Sequence, residues 1–411
     1  VFNAEVAKWN IERARDNEKS QVSETVENVK DVEIVDDYTI RLILKDVEPI
    51  LPLLLTPENG TTIFFASKKA FETMGEEKFR RNPVGTGPME FISWEPDVKL
   101  ELEPFPDYWE KGVDGKPLPY FDNYTWLYMP DSNVAALELR SGSVDLSFRI
   151  DLEDRSYFEK NKNLKVQKVP NTYVGYPSFY FNPDASKTDS PFSEDVRLRR
   201  AAQHAVDRNA IAEILGFGSG EPHYYWAWYP GVPGYDPDLP KYEYDLEKAQ
   251  SLVKEAGYPN GVDIEVKIIN RPADVKPLEV IQAMWKQAGI NLKINAMDRL
   301  EWISDGRENN YEALSHGNTA QISPLIRKST RTGSTFNWAG YSDPEVDALW
   351  EEASKLYDTQ ERIKIYKEIQ RHIYEDAYHL VAYRYPLLIG LNKDLMNVTT
   401  RYNIKYAWFN Q

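Results

Sequence analysis

Three residues near the C-terminal end have types and a spacing that could bind a metal ion. His372, Glu375 and His379 lie at positions i, i+3 and i+7, which places them on one face of a helix. Zinc enzymes with such ligands use the tighter His-Glu-x-x-His spacing and a base that activates water, and this segment has neither. The spacing favours a packing or hydrogen-bonded surface role, so we predict no metal and no other cofactor. A metal-chelate receptor, with His372 and His379 facing the ligand, is a weaker alternative.

Aromatic side chains offer a second kind of chemistry, which is stacking against a ligand. The chain has 11 Trp and 26 Tyr, and the densest cluster is Tyr224–Tyr229, between turn signals that predict a loop. Trp and Tyr combine a large apolar face with one polar tip, which suits sugar rings or varied side chains. We predict that Trp226 and Trp228 contact a ligand, and packing of the loop onto its own domain is the alternative. The same two interpretations apply to Asn337 and Trp338.

The sequence gives no positive support for an enzyme. It contains no Gly-x-Ser-x-Gly elbow, phosphate loop or dinucleotide fingerprint. Cysteine is absent, which excludes thiol catalysis, cysteine-based zinc sites and disulfides. A secreted glycoside hydrolase is the rival class, and it requires two carboxyl groups roughly 5 to 10 Å apart in a cleft, with turnover of substrate.

Charge and hydropathy exclude two further classes of function. The formal net charge is −16 and no long basic run occurs, so nucleic acid is a poor candidate partner. No stretch approaches the roughly 20 apolar residues of a membrane helix. The length of 411 residues predicts about two to three domains.

Local patterns predict the elements that position these residues. Asn3 caps a first helix, and two hairpins follow, with turns at Asp36-Asp37 and at 95–97. Farther on, a helix capped by Asp245 leads into a strand at 262–269, and a second helix and strand repeat the arrangement. Two such units in succession indicate an α/β lobe.

Two more helices are predicted in the last quarter of the chain. Ser342–Glu345 forms a capping box with proline at the first helical position, and Val346, Leu349, Trp350 and Ala353 follow as a buried stripe. The next helix begins at Asp358 in the same way, and its inner face is formed by four residues. These are Ile365, Tyr366, Ile369 and Ile373.

Several segments, taken in order, resemble one known family. They are Asn82–Pro96 with Pro106–Trp109, the Ser-Gly-x-x-Asp stretch in Leu137–Leu146, Phe192–Ile211 with Ala205-Val-Asp-Arg, Tyr244–Gly261, and Tyr341–Asp347. Together they are similar to the signatures of the family 5 extracellular solute-binding proteins, which serve ABC importers of peptides and nickel. The resemblance covers essentially the whole chain.

This resemblance implies an α/β fold of two lobes, of the type II periplasmic-binding-protein kind, with an extra small domain. Mapped onto this sequence, residues 1–82 form the small domain, 83–180 with 380–411 the first lobe, and 181–379 the second. Hinges are then expected near Phe181 and Tyr383. The family places further residues before a segment like Phe2–Val6, so the N-terminal part is expected to be missing.

The resemblance also implies where a ligand binds. Tyr383 and Tyr385 at one hinge and Tyr176 and Tyr180 at the other are expected to face the cleft. Peptide-binding members offer an acidic residue beyond a strand of the second lobe, and here that segment is 317–324. It has no carboxylate, so Asn318 and Gln321 would instead bind hydroxyls or amides.

The sequence thus predicts a non-enzymatic receptor, periplasmic or extracellular and associated with the cell envelope. It would capture an oligopeptide-sized polar solute between two lobes and deliver it to an ABC permease. A receptor for an oligosaccharide or an opine is the alternative within the family.

Overall fold

The structure is a computed structural model of the 411-residue chain. It describes residues 2–17, 20, 22–56, 63–319, 323–334, 337–398 and 404–410, with side chains except those of 170–177, 273 and 316–325.

The N-terminal part, here called the small domain, consists in its described residues of one hairpin and four α-helices. Its elements are α1 (Ala4–Asp16), β1 (Val29–Asp36), β2 (Thr39–Leu44), α2 (Leu51–Leu54), α3 (Lys68–Met74) and α4 (Glu76–Arg81). The Asn3 side chain accepts the Val6 amide at 3.1 Å, which confirms the predicted cap. Ile11 of α1 and Val29 and Val32 of β1 are buried in a core of their own.

A second hairpin and a short sheet follow. They consist of β3 (Met89–Glu95), β4 (Lys99–Pro104) and β5 (Tyr124–Leu127), all antiparallel. The predicted turn is confirmed, and Asp97 takes a left-handed φ of 59° there, as short polar residues do in tight turns.

The next elements build a first lobe. They are α5 (Ser132–Ser141), β6 (Leu146–Ser147), α6 (Arg155–Lys160) and the first half of β7 (Leu164–Phe181). Leu139, Phe158 and Leu388 are buried together in its core, so a residue from far along the chain completes it.

A second lobe contains the predicted helix–strand units. Its elements are α7 (Pro191–Glu194), α8 (Val196–His204), α9 (Arg208–Gly216), β8 (Glu221–Pro222), α10 (Leu246–Glu255), β9 (Val262–Ile269), α11 (Pro272–Gln287), β10 (Ile290–Met297), α12 (Arg299–Glu308), β11 (Ala313–Thr319), α13 (Ser323–Thr330), α14 (Pro344–Lys355) and α15 (Thr359–Asp376). The chain then returns through β12 (His379–Asn392) and ends with the short pair β13 (Leu395–Met396) and β14 (Trp408–Phe409).

The predicted helix ends in this lobe are confirmed, with one shift. Asp245 accepts the Lys248 amide at the start of α10, and β9 and β10 pair in parallel along their full length. At α14 the cap is Asp343 rather than Ser342, because the Asp343 carboxylate accepts the amides of Glu345 and Val346.

Strands from both lobes share one sheet. Among the described residues the strand order is β10-β9-β11-β7-β12-β6, and β8 also pairs with β12. Within the second lobe, helices cover both faces of this sheet. On one face, here called the α8–α11 face, Phe179, Leu198, Ile264 and Trp285 are buried together.

The opposite face is named the α14–α15 face. Tyr180 of β7 is buried there with Trp350 of α14 and Ile369 of α15. Phe179 and Tyr180 point to opposite faces because successive side chains of a strand alternate. The predicted stripes of α14 and α15 supply most of its helical contacts.

The long strands β7 and β12 run through both lobes. They pair antiparallel from His379 beside Tyr180 to Asn392 beside Leu164, with one interruption. Pro386 pairs with Tyr173 but Leu388 pairs with Lys168, so the register shifts between them. The predicted lobe boundary at 180/181 falls inside β7, whose last residues already pair with β11 of the second lobe.

Candidate functional site

Two tyrosines of β12 lie where the lobes meet. Tyr383 pairs with Tyr176 of β7 on one side and with Pro222 of β8 on the other. The Tyr383 and Tyr385 rings stack with their centroids 5.8 Å apart. Strand alternation places residues i and i+2 on the same side of β12, which is why these rings can meet.

Tyr385 is the residue of this pair that contacts both lobes. It packs against the α8–α11 core of the second lobe and the Leu139–Phe158 core of the first. Burial raises the pKa of its phenol, and Arg149 of the first lobe acts in the opposite direction. Its ring therefore lies at the junction around which the lobes would move.

Polar contacts also join the lobes beside this junction. Arg155 of α6 donates to the Ser219 hydroxyl, and Lys276 of α11 lies 3.7 Å from the Glu153 carboxylate. Both acidic and basic members of the second pair are more than half exposed. These contacts can break at little cost when the lobes separate.

A second candidate region is the aromatic loop Tyr224–Tyr229, which has no regular secondary structure. Trp226 and Trp228 retain only 3% and 1% of their exposure, so the loop is packed inside the second lobe. Trp226 stacks on the His379 ring at 4.3 Å, and Tyr180 meets the same ring edge-on at 4.8 Å. The two predicted tryptophans and Tyr180 therefore come together, on the α14–α15 face.

A pocket lies beneath this loop and is here called the loop pocket. Its cavity volume is ≈ 20 Å³, which is room for about one water molecule. Its lining residues, apart from Ile373, are aromatic or carry neutral amides. They are Gln203, Tyr224, Tyr225, Trp226, Trp228, Tyr242, Gln370, Ile373, Tyr374 and His379.

The lining includes buried N–H groups that bond to no acceptor among the described residues, and two of them concern us here. They are Nε1 of Trp228 and Nε2 of Gln370, each on a side chain that is 1% exposed. The other end of the Gln370 amide is engaged, because its Oε1 accepts the Asp236 amide at 2.8 Å. That bond fixes the orientation of the amide and leaves its nitrogen as the available donor.

The guanidinium of Arg208 lies directly behind the pocket wall. It donates to the carbonyls of His223, Val381, Gln203 and Tyr242 at 2.9 to 3.1 Å, and to Oε1 of Gln203 at 2.6 Å. All of these acceptors are neutral. Burial lowers the pKa of Arg208 to about 10, so it stays charged at neutral pH.

Arg208 thereby ties the start of the aromatic loop to β12 and to the end of α8. It was not among the predicted site residues. Its signal was present in the sequence, because Arg208 is the last residue of the Ala205-Val-Asp-Arg motif that carried the family resemblance.

The remaining predicted site residues have different surroundings. The Asn337 amide bonds to the carbonyls of Arg331 and Tyr341 and accepts the Tyr341 amide, which holds a turn. Trp338 is half-buried against Trp302, with ring centroids 5.5 Å apart. These contacts supply a packing role for both residues.

Three predicted residues are only partly covered by the described structure. Asn318 pairs with Gly175, next to Tyr176, so the backbones of β11, β7 and β12 bring Asn318, Tyr176 and Tyr383 to neighbouring positions. The side chains of Tyr176 and Asn318, and the whole of Gln321, lie outside the described residues.

The histidines considered for a metal site do not share one. His372 lies 3.8 Å from Glu345 and 4.0 Å from Asp343, whereas His379 is stacked on Trp226. Among the described residues, no group of three His, Asp or Glu side chains is arranged to hold a metal ion.

A third region joins the small domain to the second lobe through charge. We call it the charged contact, and it consists of three ion pairs. They are Arg327–Glu48 at 3.0 Å, Arg331–Glu27 at 2.8 Å and Lys355–Asp46 at 3.0 Å. Lys328 donates to Thr25 at 2.8 Å beside them, and burial lowers its pKa to about 8. The Arg327–Glu48 pair is the most shielded from water.

Comparison with known proteins gives a consistent result. The profile of "Bacterial extracellular solute-binding proteins, family 5 Middle" matches residues 1–338. The glutathione-binding protein GsiB of Salmonella choleraesuis is 29% identical over 392 residues, which cover 92% of this chain and 73% of that protein.

Solved structures share the fold. The ABC transporter-associated periplasmic binding protein DppA from Helicobacter pylori, in complex with peptide STSA, is 25% identical with a TM-score of 0.84. The match covers 100% of this chain and 82% of that one. AgaA from A. tumefaciens, in complex with agropinic acid, has the same TM-score at 20% identity, covering 100% and 84%. None of the helices in the described part of the chain is long and apolar enough to span a membrane.

Proposed function

Because the chain belongs to family 5 of the bacterial extracellular solute-binding proteins, it is a solute-binding receptor of an ABC importer, and we propose that its solute is a short peptide or peptide-like conjugate held between the two lobes. The relatives are binding proteins, which supports a receptor without catalytic activity. We further propose that the protein is exported and acts at the cell envelope beside its permease.

One observation carries this proposal. The two lobes share a sheet through the long strands β7 and β12, and the pairing of these strands is interrupted between Pro386 and Leu388. An interruption in a ladder is a place where backbone angles can change while the elements on either side move as rigid bodies. We place the hinge at 168–173 and 386–388, rather than at Phe181 and Tyr383, because Phe181 is fully buried in the second lobe.

The expected ligand-contacting residues lie on the second-lobe side of this hinge. Tyr176, Asn318 and Tyr383 occupy neighbouring backbone positions on three strands, and Tyr385 lies two residues from Tyr383. A solute that contacts residues on both lobes stabilises the closed form by its greater affinity for that form. Trp226 and Trp228 extend the proposed site along the second lobe.

The ligands of the relatives favour a peptide over the other candidate solutes. GsiB is described as glutathione-binding and DppA was solved with a peptide, whereas AgaA was solved with agropinic acid. An opine or an oligosaccharide is therefore the second candidate within the same family.

The proposal is tested by screening the protein for thermal stabilisation against short peptides, opines and oligosaccharides. A peptide present at 100 times its dissociation constant is expected to add about 2.7 kcal/mol to the free energy of unfolding. Calorimetry then compares Tyr176→Ala with Tyr357→Ala, a matched change at a tyrosine that is 77% exposed. We expect Tyr176→Ala to bind the peptide about tenfold more weakly than the unchanged protein does. We expect Tyr357→Ala to bind it with unchanged affinity.

Three results would contradict the proposal. Stabilisation by opines or oligosaccharides but by no peptide would move the solute to the second candidate. Equal peptide affinity in Tyr176→Ala and Tyr357→Ala would exclude the neighbouring positions on β7, β11 and β12 as the binding site. Release of a cleaved product over time would favour the hydrolase class.

A further inference from the structure

The charged contact between the small domain and the second lobe has an acidic side and a basic side. In each of its ion pairs the carboxylate belongs to the small domain and the cation to the second lobe. Lys328 of the second lobe lies near Glu24 and Glu27, and Ser334 donates to Glu24 at 2.8 Å. Opposite charge on the two sides draws them together, and salt screens that attraction.

The small domain is also attached to the β3–β5 sheet that follows it in the chain. Ala66 and Gly85 form an antiparallel bridge between the two units. The guanidinium of Arg81, at the end of α4, lies 5.0 Å from the ring of Trp94 in β3. The small domain is therefore fixed to this sheet by backbone and side-chain contacts as well as by the chain itself.

The β3–β5 sheet in turn contacts the first lobe. Trp126 of β5 stacks on Phe148 with ring centroids 5.4 Å apart. Glu110, between β4 and β5, accepts hydrogen bonds from the Lys405 ammonium and the Tyr406 hydroxyl near the C-terminal end. These contacts place the small domain and the β3–β5 sheet on the first-lobe side of the proposed hinge.

Movement at this hinge would therefore pull the charged contact apart. Its cations lie on α13, on α14 and just after α13, all within the second lobe. The Lys276–Glu153 pair, which joins the two lobes directly, is more than half exposed, whereas the Arg327–Glu48 pair is largely shielded. A shielded pair loses less of its attraction to water and salt, so the charged contact is the stronger of these links.

We propose that the charged contact favours the closed arrangement, in which the two lobes touch, before any solute binds. This inference rests on the hinge of the proposed function and does not depend on the identity of the solute. A solute that is held by the closed arrangement binds more weakly when the open one becomes more populated. The affinity would then depend on residues of the small domain that lie outside the proposed binding site.

The first test measures distances between pairs of spin labels by pulsed electron paramagnetic resonance. The chain has no cysteine, so labels can be attached through Lys160→Cys in the first lobe, Lys286→Cys in the second and Glu72→Cys in the small domain, all at exposed positions. Salt is raised from about 0.01 M to about 1 M, which shortens the screening length from about 30 Å to about 3 Å. In the ligand-free protein we expect longer 160–286 and 72–286 distances at high salt.

Two results of this test would overturn the proposal. One is a pair of distances that does not change with salt. The other is a constant 72–286 distance while the 160–286 distance lengthens, because the small domain would then move with the second lobe.

Charge reversal locates the effect at the contact. Glu27→Arg places like charges at the Arg331–Glu27 pair, whose side chains are partly exposed, so the new charge remains hydrated. We expect the ratio of open to closed protein to rise about tenfold at low salt. Glu33→Arg is the matched control, because Glu33 pairs with Arg41 inside the small domain. Near-ultraviolet circular dichroism verifies that both variants are folded, and equal opening in the two would overturn the proposal.

Solute binding separates this inference from the proposed function. For a peptide found in the screen, we expect Glu27→Arg to weaken binding about three- to tenfold and Glu33→Arg to leave it unchanged. Peptide binding with equal affinity in the two variants would overturn the inference and leave the receptor intact. Opening by salt and by Glu27→Arg without any peptide binding would support the inference and overturn only the peptide solute.

Discussion

Both faces of the second-lobe sheet bury aromatic side chains, but they differ in the hydrogen bonding of one buried tryptophan on each face. On the α8–α11 face, the indole of Trp285 donates to the Ala202 carbonyl at 3.0 Å and packs against the rings of Phe179 and Phe181. On the α14–α15 face, the indole of Trp228 is equally buried but bonds to no acceptor among the described residues. The buried indole N–H therefore has an acceptor on the first face, whereas on the second face it lies at a pocket and has none among the described residues.

A substitution at Arg208 is expected to have the largest effect on stability. Its guanidinium bonds to residues of α8, of β12 and at the start of the aromatic loop. Arg208→Leu would leave four backbone carbonyls and Gln203 without their donor in a buried place. We expect a loss of roughly 3 to 5 kcal/mol in the free energy of unfolding, measured with urea. Arg208→Lys keeps the charge with fewer donors and should lose less. A loss below about 1 kcal/mol in Arg208→Leu would show that the free energy of unfolding does not depend on these hydrogen bonds.

Acid provides the next test, through His223 at the start of the aromatic loop. Burial, with Arg384 and Arg208 nearby, lowers the pKa of His223 to about 3. In the unfolded chain the His223 ring binds a proton near pH 6.5, whereas in the folded chain it stays neutral down to about pH 3. Above pH 6.5 the ring is neutral in both states, so its burial reduces no stability there. Stability should fall by about 1.4 kcal/mol per pH unit as the pH drops toward 3.

The variant His223→Asn should flatten this pH dependence. His204 requires a control, because burial also lowers its pKa. Urea unfolding of both single variants and the double variant between pH 4 and 8 separates the two contributions. An unchanged slope in His223→Asn would contradict the buried, neutral state of that ring.

The same substitution on each face sharpens the comparison directly. Trp285→Phe leaves the Ala202 carbonyl without its donor, whereas Trp228→Phe removes a donor that has no acceptor in the described structure. Both remove a similar volume, so the cavity cost is shared. We expect Trp285→Phe to destabilise the protein by about 1 kcal/mol more, measured by urea unfolding. Equal losses would mean that the faces do not differ in polar bonding.

The charged contact, outside both faces, is expected to give the smallest effect. A double-mutant cycle at Arg327 and Glu48, whose side chains are 14% and 8% exposed, should give a coupling of about 1 to 2 kcal/mol that weakens in salt. The exposed Lys293–Glu265 pair is the control, with a coupling under about 0.5 kcal/mol. Equal couplings would indicate that burial does not strengthen the contact between the small domain and the second lobe.

Local features of the fold could be predicted because their causes are local. The Asn3 and Asp245 caps and the Asp97 turn follow from residues a few positions apart. The position of the aromatic loop could not be predicted in this way. Its burial depends on Tyr180 and His379, which are remote in sequence and meet Trp226 only in the fold.

The candidate site was predicted in part for the same reason. Tyr383 and Tyr385 were predicted because the resemblance implies a hinge near them, and in the structure they lie on β12 close to the register shift between Pro386 and Leu388. Asn337 illustrates the limit, because an amide that suits a ligand also suits a turn, and its partners at Arg331 and Tyr341 use it for the turn. The loop pocket required Gln370 and Arg208 from separate helices, and no spacing in the sequence connects them.

The way the second lobe joins the rest of the chain has a practical consequence. Tyr385 of β12 pairs with Val174 of β7 just inside the proposed hinge, so the points where the chain enters and leaves this lobe are adjacent. An inserted domain whose two ends lie side by side tolerates circular permutation and transfer between proteins. An exchange of this lobe between relatives would therefore need only two adjacent junctions, both in the paired strands β7 and β12.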